Sequence, residues 1–130
     1  LRHCHPVDMP IYDFARHQRS SKTVRVVPAE VILVEGIYIA ASEILWNMLD
    51  LSVFVHASDF SRCQRRLKRD VRERGRTEID IMRQYQKQVL PAYIDYVQPA
   101  QTRCNLSVHS ESPGDVPRAV DEILHALQAA

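Results

Sequence analysis

Residues 62–76 gather eight Lys or Arg and two acids, a local charge of +6 in a chain whose formal net charge is +1, so the rest carries −5. Arg62, Arg65, Arg66, Arg69 and Arg72 recur at intervals of three and four, which on a helix sets them along one flank. Arg74 and Arg76 fan out on either side of Gly75. Guanidinium groups so placed can hold phosphate oxygens bidentately. A solvated helix face or an RNA-binding patch has a similar composition. The run is confined to one segment, however, and lacks the interleaved aromatics on which a single-strand binder stacks bases.

Two further places could do chemistry. Val31, Ile32, Leu33 and Val34 form a continuous apolar run that ends in Glu35 and Gly36. Ligands gather at the carboxyl ends of parallel strands, so Glu35 could stand near a metal there, or could face water or a local arginine. Upstream, residues 10–19 bring Tyr12, His17 and Arg19 close together in what reads as a loop. An aromatic face and an imidazole suit a planar polar ring, and equally a packed tyrosine beside a solvated histidine.

The elements that must position these groups follow from periodicity. Residues 31–34 read as a central strand buried on both faces, and residues 51–55 as a second. Between them, residues 41–49 read as a helix with Ile44, Leu45, Met48 and Leu49 on its apolar side, giving a strand–helix–strand unit and a parallel sheet. Ser58 or Asp59 should cap the basic helix, and Gly75 should end it in a left-handed turn. A helix from Thr77 carries Met82, Tyr85, Val89, Tyr93 and Tyr96 at three- to four-residue spacing, with Pro91 expected to bend or interrupt it. Cys104, Leu106 and Val108 alternate with polar residues as a short strand at the sheet edge. Val116, Ala119, Val120, Ile123, Leu124 and Leu127 give the closing helix an apolar stripe. Residues 22–27 alternate as a half-exposed hairpin strand before Pro28.

The 130 residues, 45% of them hydrophobic, fit one domain with a real core. No apolar run approaches the roughly 18 to 20 residues that cross a bilayer. Cys4, Cys63 and Cys104 are odd in number and lack C-x-x-C spacing. That argues against a disulfide framework and a structural zinc site and points to a reducing cytoplasm.

The motifs stand in a telling order: Pro10-x-Tyr12-Asp13-Phe14-x-x-His17-x-Arg19, Thr23, Pro28-Ala29-x-Val31, Val34-Glu35-Gly36, Asp50-Leu51, Phe54-Val55, Arg65-Arg66-x-x-Arg69-Asp70, Glu73-Arg74-Gly75-Arg76 and Gln84-Tyr85. Over nearly the whole chain this resembles the uridine–cytidine kinase family, related to phosphoribulokinase. The resemblance implies an α/β P-loop fold, a parallel sheet flanked by helices, and transfer of the ATP γ-phosphoryl to the 5′-hydroxyl of uridine or cytidine. Tyr12 and His17 would contact the pyrimidine, with Arg66, Arg76 and Gln84 also lining the nucleoside pocket. Arg69 and Arg74 would belong to the catalytic lid that closes on the phosphates, and Glu35 would sit at the magnesium site. ATP and Mg2+ are thus the implied cofactors. Association as a homo-oligomer or with a full-length kinase is expected in the cytoplasm, without membrane or nucleic-acid partners. On this reading the chain is one partial kinase domain: residues 1–28 the nucleoside-binding loop and hairpin, 29–57 the strand–helix–strand core, 58–97 the Arg-rich lid and following helix, and 98–130 the last strand and closing helix.

The sequence departs from the family in one large respect: it contains no G-x-x-x-x-G-K-[ST]. The resemblance therefore implies a C-terminal portion, its first strand and phosphate loop lying before Leu1, and inactive alone. Cys4 stands where the family often has glycine, and Asn105 where it usually has aspartate. Residues 110–115 differ from the loop that members place beside the adenine, so no adenine contact carries over. The alternative is a non-catalytic kinase-like subunit or scaffold, pairing through the sheet edge and the closing helix. An RNA-binding module is the third reading.

Overall fold

The computed structural model describes residues 1, 4–13 and 18–129. They form two compact units, Leu1–Glu35 and Gly36–Ala130.

The first unit is a hairpin. Strand β1, Val7–Asp13, pairs antiparallel with β2, Gln18–Val26, from Val7 opposite Val26 to Asp13 opposite Gln18. The register shifts between Pro10 and Tyr12, as expected where a proline removes a ladder donor. Part of residues 10–19, expected as loop, is therefore strand, and Tyr12 lies on β1 opposite Arg19. Cys4 adopts φ 59°, a left-handed conformation that a glycine would take without steric cost.

Residues 31–34 correct the sequence reading: they form no strand. A buried strand depends on paired neighbours on its edges, and among the described residues none pairs with this run. Its side chains lie open, Leu33 being 91% exposed.

The second unit holds the core. Strand β3, Val53–His56, pairs in parallel with β4, Leu106–His109. Phe54, Ala57, Ile81, Tyr85, Ala100 and Val108 are buried around this pair and the helices beside it. The fold is thus a mixed α/β arrangement with a small parallel sheet. Ser52 and Asn105 fix the register at the strand entrances: Asn105 Oδ1 accepts from the Ser52 amide at 2.9 Å and hydroxyl at 2.6 Å, while Ser52 Oγ accepts from the Asn105 amide at 3.1 Å.

The expected helix over 41–49 shrinks to one turn, α1, Glu43–Trp46, capped by Ser42. Arg103 grips that turn, pairing with Glu43 at 2.9 Å and lying 4.7 Å from the Trp46 ring centroid. The basic helix is as read: α2 runs Asp59–Arg74, capped by Ser58, and ends at Gly75 with φ 61°. Thr77 caps α3, Glu78–Gln84. The helical path then widens through Tyr85–Val89, tightens over α4, Leu90–Ala92, and widens again through Tyr93–Val97. Pro91 thus neither ends nor breaks the path. It has no amide to donate, and looser turns on either side accommodate its ring. The closing helix, α5, spans Asp115–Ala129. No helix among the described residues is long and apolar enough to cross a membrane.

Candidate functional site

The arginines of α2 divide into groups with different tasks. At its start, Arg62 lies 3.4 Å from the Tyr93 ring centroid and pairs with Asp59 at 3.1 Å. Asp59 Oδ1 also accepts from the Tyr85 hydroxyl at 2.6 Å. Arg65 donates to the carbonyls of Ser110 and Glu111 at 2.5 and 3.1 Å. The Glu111 carboxylate accepts from the Ser58 amide and, at 2.5 Å, from the Ser61 hydroxyl. These contacts hold α2 to the helix beyond α3 and to the loop after β4, which consumes Arg62 and Arg65 in anchoring.

The other group forms a fan around Asp70, whose side chain is 0% exposed. Asp70 Oδ1 accepts from Arg69 Nε at 2.9 Å and stands 3.1 Å from a terminal nitrogen of Arg74. Oδ2 lies 3.7 Å from Arg66 Nε and 3.6 Å from a terminal nitrogen of Arg76, and has no hydrogen-bond partner. Helical spacing brings Arg66 and Arg74 to Asp70, four residues away on either side. The left-handed turn at Gly75 brings Arg76 back, with the Gly75 and Arg76 amides both donating to the Asp70 carbonyl. Gln84 closes the fan from α3, its Oε1 accepting from Arg66 at 3.0 Å and Arg76 at 2.7 Å.

One carboxylate thus faces four guanidiniums that keep part of their surface open. Burial lowers the Arg66 pKa from its ordinary value; Asp70 opposes this, and Arg69, Arg76 and Arg74 reinforce it. The fan is a concentrated positive field, suited to polyanionic oxygens. Beside it a groove of about 520 Å³ is lined by Arg76 and Gln84 and by Asp80, Arg83 and Lys87.

Five of the residues expected to act, Arg66, Arg69, Arg74, Arg76 and Gln84, are therefore brought together in the second unit. Arg72 is not with them: it pairs with its neighbour Glu73, so the single flank expected for the arginines is divided. Tyr12 and Glu35 belong to the first unit, where Tyr12 is 47% exposed and Glu35 is exposed. His17 lies outside the described residues. Among the described residues no three His, Cys, Asp or Glu side chains gather as a metal site. The sequence reading gave Asp70 and Glu111 no role and took Tyr85 only as part of a helix's apolar face. For Asp70 the signal was present in its i±4 spacing from Arg66 and Arg74; for Glu111, 50 residues from Ser61, no local signal exists.

The model of the Phosphoribulokinase / Uridine kinase family matches residues 1–117. A uridine kinase of Lactobacillus helveticus is 36% identical over 129 residues, covering 99% of this chain and 60% of its own. A uridine kinase of Lactococcus lactis subsp. cremoris is 41% identical over 101 residues, covering 78% and 49%, and one of Streptococcus uberis is 42% identical over 103 residues, covering 79% and 49%. The chain spans between about half and three fifths of the length of these relatives.

Proposed function

This chain belongs to the phosphoribulokinase/uridine kinase family, and from that membership we propose that it supplies the nucleoside-side and phosphate-gripping part of a pyrimidine nucleoside kinase. The reaction would carry the γ-phosphoryl of ATP to the 5′-hydroxyl of uridine or cytidine. The observation that carries this reading is the fan of Arg66, Arg69, Arg74 and Arg76 on one buried carboxylate. Phosphoryl transfer asks the protein mainly for positioning and for cations facing the charge on the transferred group.

In this reading Arg69 and Arg74 grip the phosphates. Arg66, Arg76 and Gln84 are nucleoside contacts, and the family resemblance adds Tyr12 and His17 as pyrimidine contacts. The Gln84 oxygen is already engaged by two arginines, and its amide nitrogen donates to Gln88 Oε1 at 3.4 Å, so the second hydrogen of that nitrogen is the donor left to read an acceptor on the base. Glu35 is a single hard-oxygen donor, which fits a Mg2+ ion that takes most of its ligands from phosphate and water. The 130 residues hold no glycine-rich phosphate loop, so the grip on ATP would come from residues outside them, as in a P-loop fold whose first strand and loop lie elsewhere.

The test is calorimetric titration of the protein with uridine and cytidine, using guanosine as control, for the native sequence and for Arg76→Ala. Binding of a pyrimidine nucleoside that Arg76→Ala abolishes supports the reading. Tight ATP binding with no response to either pyrimidine nucleoside would sink it. The intact mass of the native protein, captured with an antibody to residues 62–76, decides the catalytic question. A mass well above 15.0 kDa, with phosphorylation of uridine, supports a kinase; a mass equal to it favours a non-catalytic, kinase-like subunit.

A further inference from the structure

We propose that Asp70 is a positioning residue for the phosphate-gripping arginines, holding four guanidiniums in one array that keeps a surplus positive charge toward an incoming polyphosphate. The proposal rests on the reading of the fan as a phosphate site.

Asp70 lies within ion-pair distance of Arg66, Arg69, Arg74 and Arg76 alike, and none of the four has more than half of its side chain exposed. Without it, four like charges would face one another around a buried space and separate. Its two oxygens are used unequally. Oδ1 takes Arg69 and Arg74, the residues assigned to phosphate, at hydrogen-bonding distance. Oδ2 holds Arg66 and Arg76 by charge alone, and those two are tied directionally by Gln84 instead. The carboxylate therefore neutralises a minority of the charge it organises. A residue selected to neutralise would leave little for a ligand, and a buried ion pair by itself is weak evidence of stabilisation.

The main chain of Asp70 does separate work. Its carbonyl accepts from Gly75 and Arg76 and so closes the left-handed turn. A side-chain substitution leaves that turn its hydrogen bonds, which makes the side chain's role separable.

The probe is inorganic tripolyphosphate, which presents phosphate without a base, titrated calorimetrically into the 130-residue protein at fixed ionic strength. Asp70→Asn removes a negative charge, so simple attraction would tighten binding; positioning requires that it weaken, by about tenfold, the lower end of what loss of an orienting partner costs a ligand site. Asp70→Glu keeps the charge and displaces the carboxylate by one methylene, and it should weaken binding as well. The Arg69 Nε–H nuclear magnetic resonance signal should move in Asp70→Asn, while the Gly75 and Arg76 backbone amide signals stay. Equal or tighter binding by a folded Asp70→Asn or Asp70→Glu protein would make Asp70 a competing anion and overturn the proposal. If the native protein binds tripolyphosphate and Arg69→Gln weakens it while the Asp70 variants do not, the positioning role alone fails. If the native protein does not bind it, the phosphate reading fails and the positioning role falls with it.

Discussion

Replacing Tyr85 with phenylalanine removes one hydroxyl from the joint that holds the start of α2, and the geometry of its hydrogen bond sets the cost. The hydroxyl donates to Asp59 Oδ1 at 2.6 Å from a side chain that is 5% exposed, and a hydrogen bond to a charged group contributes about 1.5 to 3 kcal/mol. Burial, and then the bond to Asp59, push the Tyr85 phenol from 10.0 up to about 12, so ionising it costs more in the folded protein than in the unfolded one. Tyr85→Phe should therefore lower stability by about 2 kcal/mol at neutral pH, and the melting temperature by about 8 °C. The pH dependence gives the argument its sign. Because the folded-state value of Tyr85 is raised, its contribution is complete below pH 10.0 and lost as pH rises through about 12. Asp59 is lowered from 3.8, first by the Tyr85 bond, against burial and with help from Arg62. Its share is therefore present above 3.8 and lost as pH falls through its folded-state value. The gap between native and Tyr85→Phe proteins, measured by urea unfolding followed by circular dichroism, should be widest between these limits and close at both ends. A difference below about 0.5 kcal/mol at pH 7, or one that stays constant through the alkaline range, would refute the reasoning.

Other expectations follow from the same geometry. Cys4→Gly should stabilise by about 1 kcal/mol, since Cys4 occupies φ 59° at the cost usual for a side chain in that region; a thermal melt with no upward shift would count against it. Gly75→Ala has no atom within 4 Å of the added carbon, so only the φ of 61° opposes it, at about 1 kcal/mol; urea unfolding reads this. Glu111 is held at about 2 rather than 4.5, chiefly by the Ser61 hydroxyl and then by Ser58. Its contribution should be full above 4.5 and lost as pH falls toward 2, and Glu111→Gln should flatten that part of the acid-unfolding curve. Arg69→Lys keeps the charge but loses the planar fork, and should weaken tripolyphosphate binding measurably rather than preserve it.

How much of this could be read from the chain depends on the range of the forces involved. The basic helix, its Ser58 cap and its Gly75 stop were legible because capping and left-handed turns are settled within a few residues. The fan was half legible: the i±4 spacing is written in the sequence, whereas the return of Gln84 depends on a turn and a second helix. Residues 31–34 show the converse. Their apolar run specifies burial without specifying the partner, and a strand exists only when a neighbour pairs with it. The Pro10 bulge, the Glu111 clasp and the wide turns around Pro91 arise from contacts or accommodations that no short window contains.

The unequal division of labour along α2 has a mechanical consequence. Its first two turns are bolted to Tyr85, Tyr93 and the loop after β4, while its far end carries the charge. Sixteen residues of helix make an arm of about 24 Å, so tilting it by about 10° about Ser58 sweeps Gly75 through about 4 Å. With Asp70 and Gln84 lashing the four guanidiniums together, such a swing would deliver them as one rigid claw rather than as four independently searching side chains.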